Sequence, residues 1–292
     1  MPRSDPPAPF LKWAGGKTQL LSRLVSCMPR EFGTYYEPFL GAGALFFRLS
    51  SMGKISRAVI ADVNKDLINC YLAVRDELDY LVSLLDEYQK HVDEMDFFYE
   101  VARPAFNKIR LTGGGANAEK AALLIYLNKT CFNGLYRVNS KEGFNAPWGR
   151  YRSPGLYSLE NLKAVSGVLN GRGIQIRCCD YRETVKDAQR GDLVYFDPPY
   201  QPLNPTSSFT QYTGGAFTAE DQRDLADTFM ALDGRGCNVM LSNSCSPLVE
   251  ELYAPYIKKG CLAVVMASRA ISCVGSGRGK IPEYIVYNYN PG

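Results

Sequence analysis

The tetrapeptide Asp197-Pro198-Pro199-Tyr200 carries the residue types best suited to chemistry in this sequence. It directly follows Leu193–Phe196, an apolar run typical of a buried strand, and ligands of open α/β sheets bind outside the carboxyl ends of the strands. Two prolines fix the backbone and remove two N–H donors. Asp197 and the Pro198 carbonyl can each accept one hydrogen from a planar amino group, and Tyr200 can stack on the ring that carries it. The tetrapeptide therefore predicts an aryl-amine site, without separating adenine N6 from cytosine N4 or DNA from RNA.

A glycine turn follows the first predicted strand, in the run Glu37-Pro38-Phe39-Leu40-Gly41-Ala42-Gly43. Its two glycines permit a tight turn and a close approach of the backbone to a cofactor. The spacing is not the G-x-G-x-x-G dinucleotide fingerprint, because residue 46 is Phe. Asp62 ends the next predicted strand and can accept hydrogen bonds from ribose hydroxyls. The turn and this carboxylate together predict an adenosine-containing cofactor, with NAD not indicated.

A third motif lies near the N-terminus, in the run Phe10-Leu11-Lys12-Trp13-Ala14-Gly15-Gly16-Lys17. Its end is similar to a phosphate loop, but the earlier glycine and the preceding strand are missing, so a Walker motif is not predicted. Trp13 can instead pack on an adenine, and Lys17 can meet a carboxylate such as that of methionine. The alternative interpretation is a surface turn with a tryptophan in the core.

Basic and aromatic residues concentrate in residues 129–152. The whole chain has a net charge of only +3, which does not establish nucleic-acid binding. Evidence for such binding must therefore come from the local distribution of charge. This stretch holds five basic residues against one acidic residue. Its aromatic side chains interleave with the basic ones: Phe132, Tyr136, Phe144, Trp148 and Tyr151. The stretch predicts a nucleic-acid surface, and the alternative is a packed, salt-bridged hairpin.

Composition excludes several classes of protein. Nine cysteines show no C-x-x-C spacing, and His91 is the one histidine, so neither a His-based zinc site nor a Ser-His-Asp triad is predicted. No run approaches the ~20 apolar residues that span a bilayer. Residues 1–8 contain three prolines and no apolar core, so no signal peptide is predicted. We therefore expect a cytoplasmic protein that uses no metal and no membrane.

Strands and helices alternate along most of the chain. The pattern predicts strands at 34–38, 57–61, 174–179, 193–196 and 237–241, with a terminal pair at 262–266 and 284–289. It predicts helices at 44–49, 65–89, 119–127 and 219–232. This alternation indicates a mostly parallel sheet with helices on both faces, interrupted by an insertion from about 75 to 165.

In this order, the three motifs resemble the Dam-type (class alpha) family of DNA adenine-N6 methyltransferases. That family has an FLKWAGGK-like segment, an EPFxGAG loop, a central target-recognition insertion and then DPPY. Residues 133–137 and 144–151 are similar to the family's recognition hairpin, and Ser242-Asn243 and residues 268–272 also fit. The resemblance covers nearly the whole chain. DPPY alone is shared by many amino-methyltransferases, whereas the ordered set is specific.

The resemblance implies an α/β fold, with a Rossmann-like S-adenosylmethionine methyltransferase core and an inserted, mostly helical target-recognition domain carrying a β-hairpin. The core would comprise residues 1–74 and 166–292, and the recognition domain residues 75–165. The reaction would be direct in-line transfer of a methyl group from S-adenosylmethionine to N6 of a flipped adenine in duplex DNA. Matching hairpin positions make GATC the preferred target. A cognate restriction endonuclease is a further partner to consider.

The resemblance also implies site residues. Catalysis would rest on four residues: Asp197, Pro198, Pro199 and Tyr200. Contacts to the cofactor or its surroundings would come from Phe10, Trp13, Ala14, Gly15, Lys17, Glu37, Pro38, Phe39, Gly41, Gly43, Asp62, Val63, Asp180, Tyr181 and Asp197. Contacts to DNA would come from Lys12, Lys129, Phe132, Asn133, Leu135, Arg137, Asn139, Pro147, Tyr151, Arg269, Arg278 and Lys280.

Two other functions stay open on the residues alone. The same tetrapeptide suits an RNA methyltransferase or a cytosine-N4 amino-methyltransferase. A different class is a nucleic-acid-binding protein that has kept the fold without catalysis, against which the intact Asp197 and Tyr200 argue.

Overall fold

A seven-stranded sheet forms the centre of the molecule. The computed structural model describes residues 6–112, 117–200, 217–268 and 280–291. The strands are β1 (Tyr35–Glu37), β2 (Ala58–Ala61), β3 (Ile174–Arg177), β4 (Leu193–Phe196), β5 (Asn238–Ser244), β6 (Leu262–Ser268) and β7 (Lys280–Tyr287). Their order is β3-β2-β1-β4-β5-β7-β6. The first five strands in this order run parallel, whereas β7 is antiparallel to both β5 and β6. The predicted mostly parallel sheet is confirmed.

The described helices fall before and between these strands. They are α1 (Leu21–Ser26), α2 (Ala44–Ser51), α3 (Lys65–Asp76), α4 (Leu78–Gln89), α5 (Arg103–Thr112), α6 (Ala118–Thr130), α7 (Leu159–Leu169), α8 (Tyr181–Val185), α9 (Ala219–Gly234), α10 (Pro247–Leu252) and α11 (Ala254–Lys258). A π-helical turn, Phe97–Ala102, leads into α5. None of the helices within the described ranges is long and apolar enough to cross a membrane.

Two hydrophobic clusters cover the two faces of the sheet. Successive side chains of a strand point to opposite faces, so Tyr35 joins one cluster and Tyr36 the other. The first cluster contains buried residues of α1, α2, α3 and α7. The second contains buried residues of α8, α9, α10 and α11. This arrangement, with helices on both faces of a mostly parallel sheet, confirms the predicted α/β fold class.

The segment between α3 and β3 is mostly helical. The single helix predicted at 65–89 is wrong, because Glu77 has non-helical φ and ψ angles of −131° and 33° and separates α3 from α4. Val74 and Leu78 keep helical spacing across this break, so the sequence pattern gives no sign of it. Buried residues of α3, α4 and α6 belong to one continuous cluster. The domain boundaries at 74/75 and 165/166 therefore stay a prediction.

Candidate active site

The candidate active site lies where the strand order of the sheet reverses, between β1 and β4. Tyr35 pairs with Leu193 and Tyr36 with Val194 in parallel register, so the loops after both strands leave from the same edge. In open α/β sheets, ligands bind at such a switch point, outside the carboxyl ends of the strands. The tetrapeptide 197–200 and the glycine turn after β1 therefore meet at this edge.

An ion pair joins the N-terminal segment to this edge. Lys17 Nζ lies 2.7 Å from Asp197 Oδ1 and donates a hydrogen bond to the Gly15 carbonyl at 2.8 Å. The same ammonium lies 4.8 Å from the centroid of the Tyr200 ring, within cation–π range. The side chains of Lys17 and Asp197 are only 8% and 16% exposed, so the pair is shielded from bulk water. Lys17, predicted to meet a cofactor carboxylate, meets a carboxylate of the protein itself.

Burial shapes the ionisation of the two carboxyl groups at this edge. It raises the pKa of Asp197 to about 6, against the opposing charge of Lys17. Glu37 is 3% exposed, and burial raises its pKa to about 8, although its carboxyl accepts a hydrogen bond from the Tyr35 hydroxyl at 2.9 Å. Pro38, which follows, is buried as well. At neutral pH, Asp197 is therefore the anionic acceptor of the two.

The two proline carbonyls of the tetrapeptide have different surroundings. The Pro199 carbonyl accepts a hydrogen bond from Gln222 Nε2 at 3.1 Å, and Gln222 Oε1 accepts one from Asn243 Nδ2 at 2.9 Å. Both amides are fully buried, so they hold the turn rigidly. No donor to the Pro198 carbonyl occurs within the described residues. Gln222 is not predicted from the sequence, where it is one polar residue on a helix.

Tyr200 is held at its hydroxyl end. The hydroxyl donates a hydrogen bond to Glu283 Oε2 on β7 at 2.9 Å. Burial raises the pKa of Tyr200 well above its ordinary value, so the phenol stays neutral. The sequence holds no signal for Glu283, because it lies outside every motif and reaches the site only through the pairing of β7 with β5.

The glycine turn after β1 is closed by Asp62 and covered by Trp13. Gly41 and Gly43 have φ angles of +49° and +68°, which favour glycine. The Gly41 amide donates to Asp62 Oδ2 at 3.1 Å. A Cβ atom on Gly41 would lie 3.1 Å from Trp13 Cδ1, and one on Gly43 only 2.9 Å from the Tyr71 hydroxyl. The turn thus packs against Trp13 and Tyr71 too closely to carry a side chain at either glycine.

Aromatic rings flank the glycine turn. The rings of Phe39 and Tyr181 stack with centroids 5.5 Å apart. Asp180 caps the N-terminus of α8, at the carboxyl end of β3. Val63 is 53% exposed next to Asp62, whereas Phe10 is buried. The predicted cofactor residues therefore come from the loops after β1, β2, β3 and β4 and from the N-terminal segment.

A cleft of about 390 Å³ separates the N-terminal segment from the hairpin region. Its lining includes two residues predicted to contact the cofactor, Trp13 and Ala14. It also includes four residues predicted to contact DNA: Lys12, Asn133, Leu135 and Tyr151. Asn128 holds the two walls together, because its Nδ2 donates to the Lys12 carbonyl at 2.7 Å and to the Gly134 carbonyl at 2.9 Å. Asn128 is 2% exposed and lies on α6, so the sequence pattern does not single it out.

The hairpin predicted in this region is irregular. It is closed by two isolated antiparallel bridges, Cys131 with Trp148 and Val138 with Phe144. Phe132 is 53% exposed at its base. The predicted aromatic lining is wrong for Tyr136 and Phe144, which are 3% and 2% exposed and belong to the core.

A buried ion cluster explains the burial of Tyr136. The hydroxyl donates to Asp66 Oδ2 at 2.6 Å, and the same oxygen lies 2.6 Å from Arg110 Nε. Lys120 Nζ lies 2.7 Å from Asp66 Oδ1. The side chains of Asp66, Arg110 and Lys120 are 1%, 9% and 6% exposed, and Tyr136 is 3% exposed. Burial alone would raise the pKa of Asp66, but the hydrogen bonds from Lys120, Tyr136 and Arg110 lower it overall. The cluster ties α3 to α5, α6 and the hairpin.

The predicted DNA contacts of the hairpin differ in their exposure and in the hydrogen bonds that they already make within the protein. Arg137 is exposed, and its guanidinium donates to Asn145 Oδ1 at 2.7 Å and to the Asn145 carbonyl at 2.9 Å. Asn139 is exposed, and its Oδ1 caps the hairpin turn. Lys129 is half-buried, and burial together with the charge of Lys12 lowers its pKa to about 8.

Three predicted phosphate contacts lie in or beside the gap before β7. Arg269 and Arg278 fall outside the described residues, and of Lys280 only the backbone is described, at the start of β7. Pro147, a predicted base contact, is exposed, and its carbonyl accepts a hydrogen bond from the Phe132 amide at 2.8 Å.

The fold and the site define the class of protein. A glycine turn ends β1, carboxylates follow β2 and β4, and the tetrapeptide after β4 offers two acceptors and a ring to a planar amine. This is the arrangement of an amino-methyltransferase of the α/β class.

The chain belongs to the D12 class N6 adenine-specific DNA methyltransferase family, whose sequence pattern matches residues 13–261. It is 45% identical over 282 residues to the type II methyltransferase M1.LlaDCHI of Lactococcus lactis subsp. cremoris, covering 96% of this chain and 95% of that protein. It is 42% identical over 295 residues to the type II methyltransferase M.MjaIII of Methanocaldococcus jannaschii, covering 96% and 99%. It is 34% identical over 284 residues to the DNA adenine methylase of Escherichia coli K12, covering 97% and 95%.

These similarities confirm the predicted family and the predicted enzyme class, an adenine-N6 methyltransferase that acts on DNA.

Proposed function

We propose that this protein transfers a methyl group from S-adenosylmethionine to N6 of a flipped adenine in duplex DNA, with GATC as its preferred target. One observation carries the proposal. At the carboxyl end of β4, the Asp197 carboxylate, the Pro198 carbonyl and the Tyr200 ring lie at the same edge of the sheet as the glycine turn after β1 and Asp62 after β2. The proposed amine site and the proposed nucleoside site would therefore be adjacent.

The residues at this edge fit S-adenosylmethionine. Gly41 and Gly43 carry no side chains, which suits a close approach of the turn backbone to the cofactor. Asp62 would accept hydrogen bonds from the ribose hydroxyls. Asp180 and Phe39 would contact the adenine. When bound, the cofactor supplies an electrophilic methyl group on a sulfonium.

The tetrapeptide prepares the amine as a nucleophile. Asp197 Oδ and the Pro198 carbonyl each accept one N6 hydrogen, which localises the nitrogen lone pair that is otherwise delocalised into the ring. The ring of Tyr200 stacks on the adenine and sets its plane. Asp197 serves only as an anion, since its protonated form would turn one acceptor into a donor. Its pKa of about 6 allows this role at neutral pH.

A flipped base requires compensation for the unstacking cost of a few kcal/mol. Phe132, an exposed aromatic at the base of the hairpin, would fill the space that the adenine leaves. Arg137 and Asn139, exposed further along the hairpin, would read base edges, with an arginine pairing with guanine. The match of these positions to the family's recognition hairpin supports GATC. Phosphate contacts would come from Arg269, Arg278 and Lys280, as the sequence predicts.

We also propose that the protein is cytoplasmic, where its DNA substrate lies, and that it has a cognate restriction endonuclease as a partner. Two relatives carry the name type II methyltransferase, which supports this partner. The test is whether DNA from cells that express the protein resists cleavage by an endonuclease with the same recognition sequence.

The central experiment uses labelled S-adenosylmethionine and two short duplexes, one with GATC and one with those four bases scrambled, followed by nucleoside mass spectrometry. We expect N6-methyladenine in the first duplex only. Equal labelling of both would refute the GATC assignment and keep the chemistry. N4-methylcytosine, or methylated RNA with untouched DNA, would refute the substrate.

The variant Asp197→Ala separates an enzyme from a binding protein. We expect it to abolish transfer and to bind the GATC duplex nearly as well as the wild type, because Asp197 acts at the amino group. Full activity in this variant would refute the mechanism. A wild type that binds DNA without binding the cofactor in calorimetry would indicate the catalytically inactive binding protein.

A further inference from the structure

We infer that Glu283 is a positioning residue for methyl transfer, because it holds the hydroxyl of Tyr200 and thereby fixes the ring that stacks on the target base. This inference rests on the proposed function. Glu283 belongs to none of the sequence motifs, and no role follows for it from the sequence.

The antiparallel strand β7 brings Glu283 to the site. β7 is antiparallel to β5, so its first residues lie at the edge where the parallel strands end. Glu283 pairs with Ser244 of β5 on one side and with Val265 of β6 on the other. The backbone of Glu283 is thus fixed by two neighbouring strands, and its carboxyl accepts the Tyr200 hydroxyl at 2.9 Å.

Tyr200 needs this support for its role. A stacked ring must keep its plane parallel to the base, and this plane is set by only two side-chain torsions. The Lys17 ammonium lies 4.8 Å from the ring centroid, within cation–π range, and makes no contact with the hydroxyl end of the ring. The hydrogen bond to Glu283 restrains χ1, because it fixes the far end of the ring. It acts on χ2 through the preference of a phenol O–H for the plane of its ring, since the O–H must point at the carboxylate. Glu283 therefore fixes where the Tyr200 ring lies and favours one ring plane.

The carboxyl of Glu283 also acts on Asp197 through space. The groups that face Asp197 are Lys17 from the N-terminal segment, Glu283 from β7, and Tyr200 and Tyr195 from the β4 side. Glu37 and Tyr35 on β1 are coupled to Asp197 as well. Burial is the main cause of the raised pKa of Asp197, Lys17 opposes it, and the negative charge of Glu283 adds to it.

Three substitutions separate these effects. Glu283→Ala removes the acceptor and the charge, Glu283→Gln keeps an acceptor without the charge, and Tyr200→Phe removes the donor. The matched control is Glu250→Gln. Glu250 accepts a hydrogen bond at 2.5 Å from the hydroxyl of Tyr284, which follows Glu283 on β7. Glu250 lies on α10 and does not face Asp197.

Single-turnover transfer to the GATC duplex is measured at pH 8, where Asp197 is ionised in every variant. We expect Glu283→Ala to slow the chemical step by about tenfold, the effect of one lost hydrogen bond that orients a reacting group. The dissociation constants of DNA and of S-adenosylmethionine should change by less than about twofold, since Glu283 is proposed to act through Tyr200 and not on either ligand. Glu283→Gln should keep most of the rate, and Glu250→Gln all of it.

The double variant identifies the route of the effect. In the Tyr200→Phe background, Glu283→Ala should cost less than about twofold, because the hydrogen bond is already absent. The same tenfold loss in both backgrounds would overturn the inference. In Glu283→Gln the acid limb of the rate profile should move to lower pH, since the pKa of Asp197 falls with the loss of a nearby negative charge. A merely structural role would leave that limb in place.

The wild type distinguishes failure of this inference from failure of the proposed function. An active wild type with an unaffected Glu283→Ala variant overturns the positioning role alone. A wild type that methylates no duplex overturns the proposed function and the positioning role with it.

Discussion

The Lys17–Asp197 ion pair predicts how methyl transfer depends on pH. The two groups are 2.7 Å apart and shielded from water, and the pKa of Asp197 is about 6 with Lys17 in place. A cation favours the charged form of a carboxyl group, so it lowers the pKa. Replacing Lys17 by methionine removes the cation at similar volume, and the pKa of Asp197 must then rise.

The size of the rise follows from the contact. An opposite charge at this distance lowers a carboxyl pKa by roughly 1 to 3 units, so the variant should titrate between roughly pH 7 and 9. At pH 7, roughly 90% of Asp197 is ionised in the wild type, against roughly 1 to 50% in Lys17→Met. The rate should therefore fall at pH 7 and recover as the pH approaches 9.5.

The assay is single-turnover methylation of the GATC duplex at saturating S-adenosylmethionine, from pH 5 to 9.5. The control is Lys12→Met, which removes an exposed cation of the same segment that does not contact Asp197. Its acid limb should stay near pH 6, whatever its rate. An unchanged acid limb in Lys17→Met, or a rate loss equal at every pH, would refute the assignment of the limb to Asp197.

Three further changes test the rest of the molecule. Asp66→Asn leaves two buried cations without their carboxylate and should lower the free energy of unfolding in urea by about 3–5 kcal/mol. Asp76→Asn, which loses a more exposed pair on the same helix, should cost less than about 1 kcal/mol, and equal losses would contradict the reasoning. Arg137→Ala should reduce discrimination against a site with a substituted guanine by about 1–3 kcal/mol in competition assays, whereas uniform weakening on all DNA would indicate a phosphate contact. Phe132→Ala should reduce the fluorescence rise of 2-aminopurine at the target adenine, because the exposed ring no longer fills the vacated space, and an unchanged signal would exclude that role.

Sequence patterns predict elements well where the period is unbroken. The strand Leu193–Phe196 is uniformly apolar and is fully buried as β4. The region 65–89 fails at Glu77, because side chains on both sides of the break are equally helical in type and only packing decides where one helix ends.

The aromatic residues of the hairpin show a second limit. Phe132 and Tyr136 are close in sequence and similar in type, yet one is exposed and the other is buried on Asp66. Nothing local distinguishes them, because the partner of Tyr136 comes from α3. Residue type indicates that an aromatic ring can pack against another group. The tertiary structure decides whether the protein itself supplies that group or leaves the ring exposed.

The sequence by itself determined the chemistry of this protein. The tetrapeptide, the glycine turn and Asp62 are continuous or local features, and their donor and acceptor groups follow from residue type and backbone alone. Only the tertiary structure decided which residues contact the tetrapeptide. Lys17, Gln222 and Glu283 reach the tetrapeptide from three distant segments, because the sheet gathers the ends of its strands at one edge. Contacts between distant segments depend on strand order and register, which no local pattern encodes.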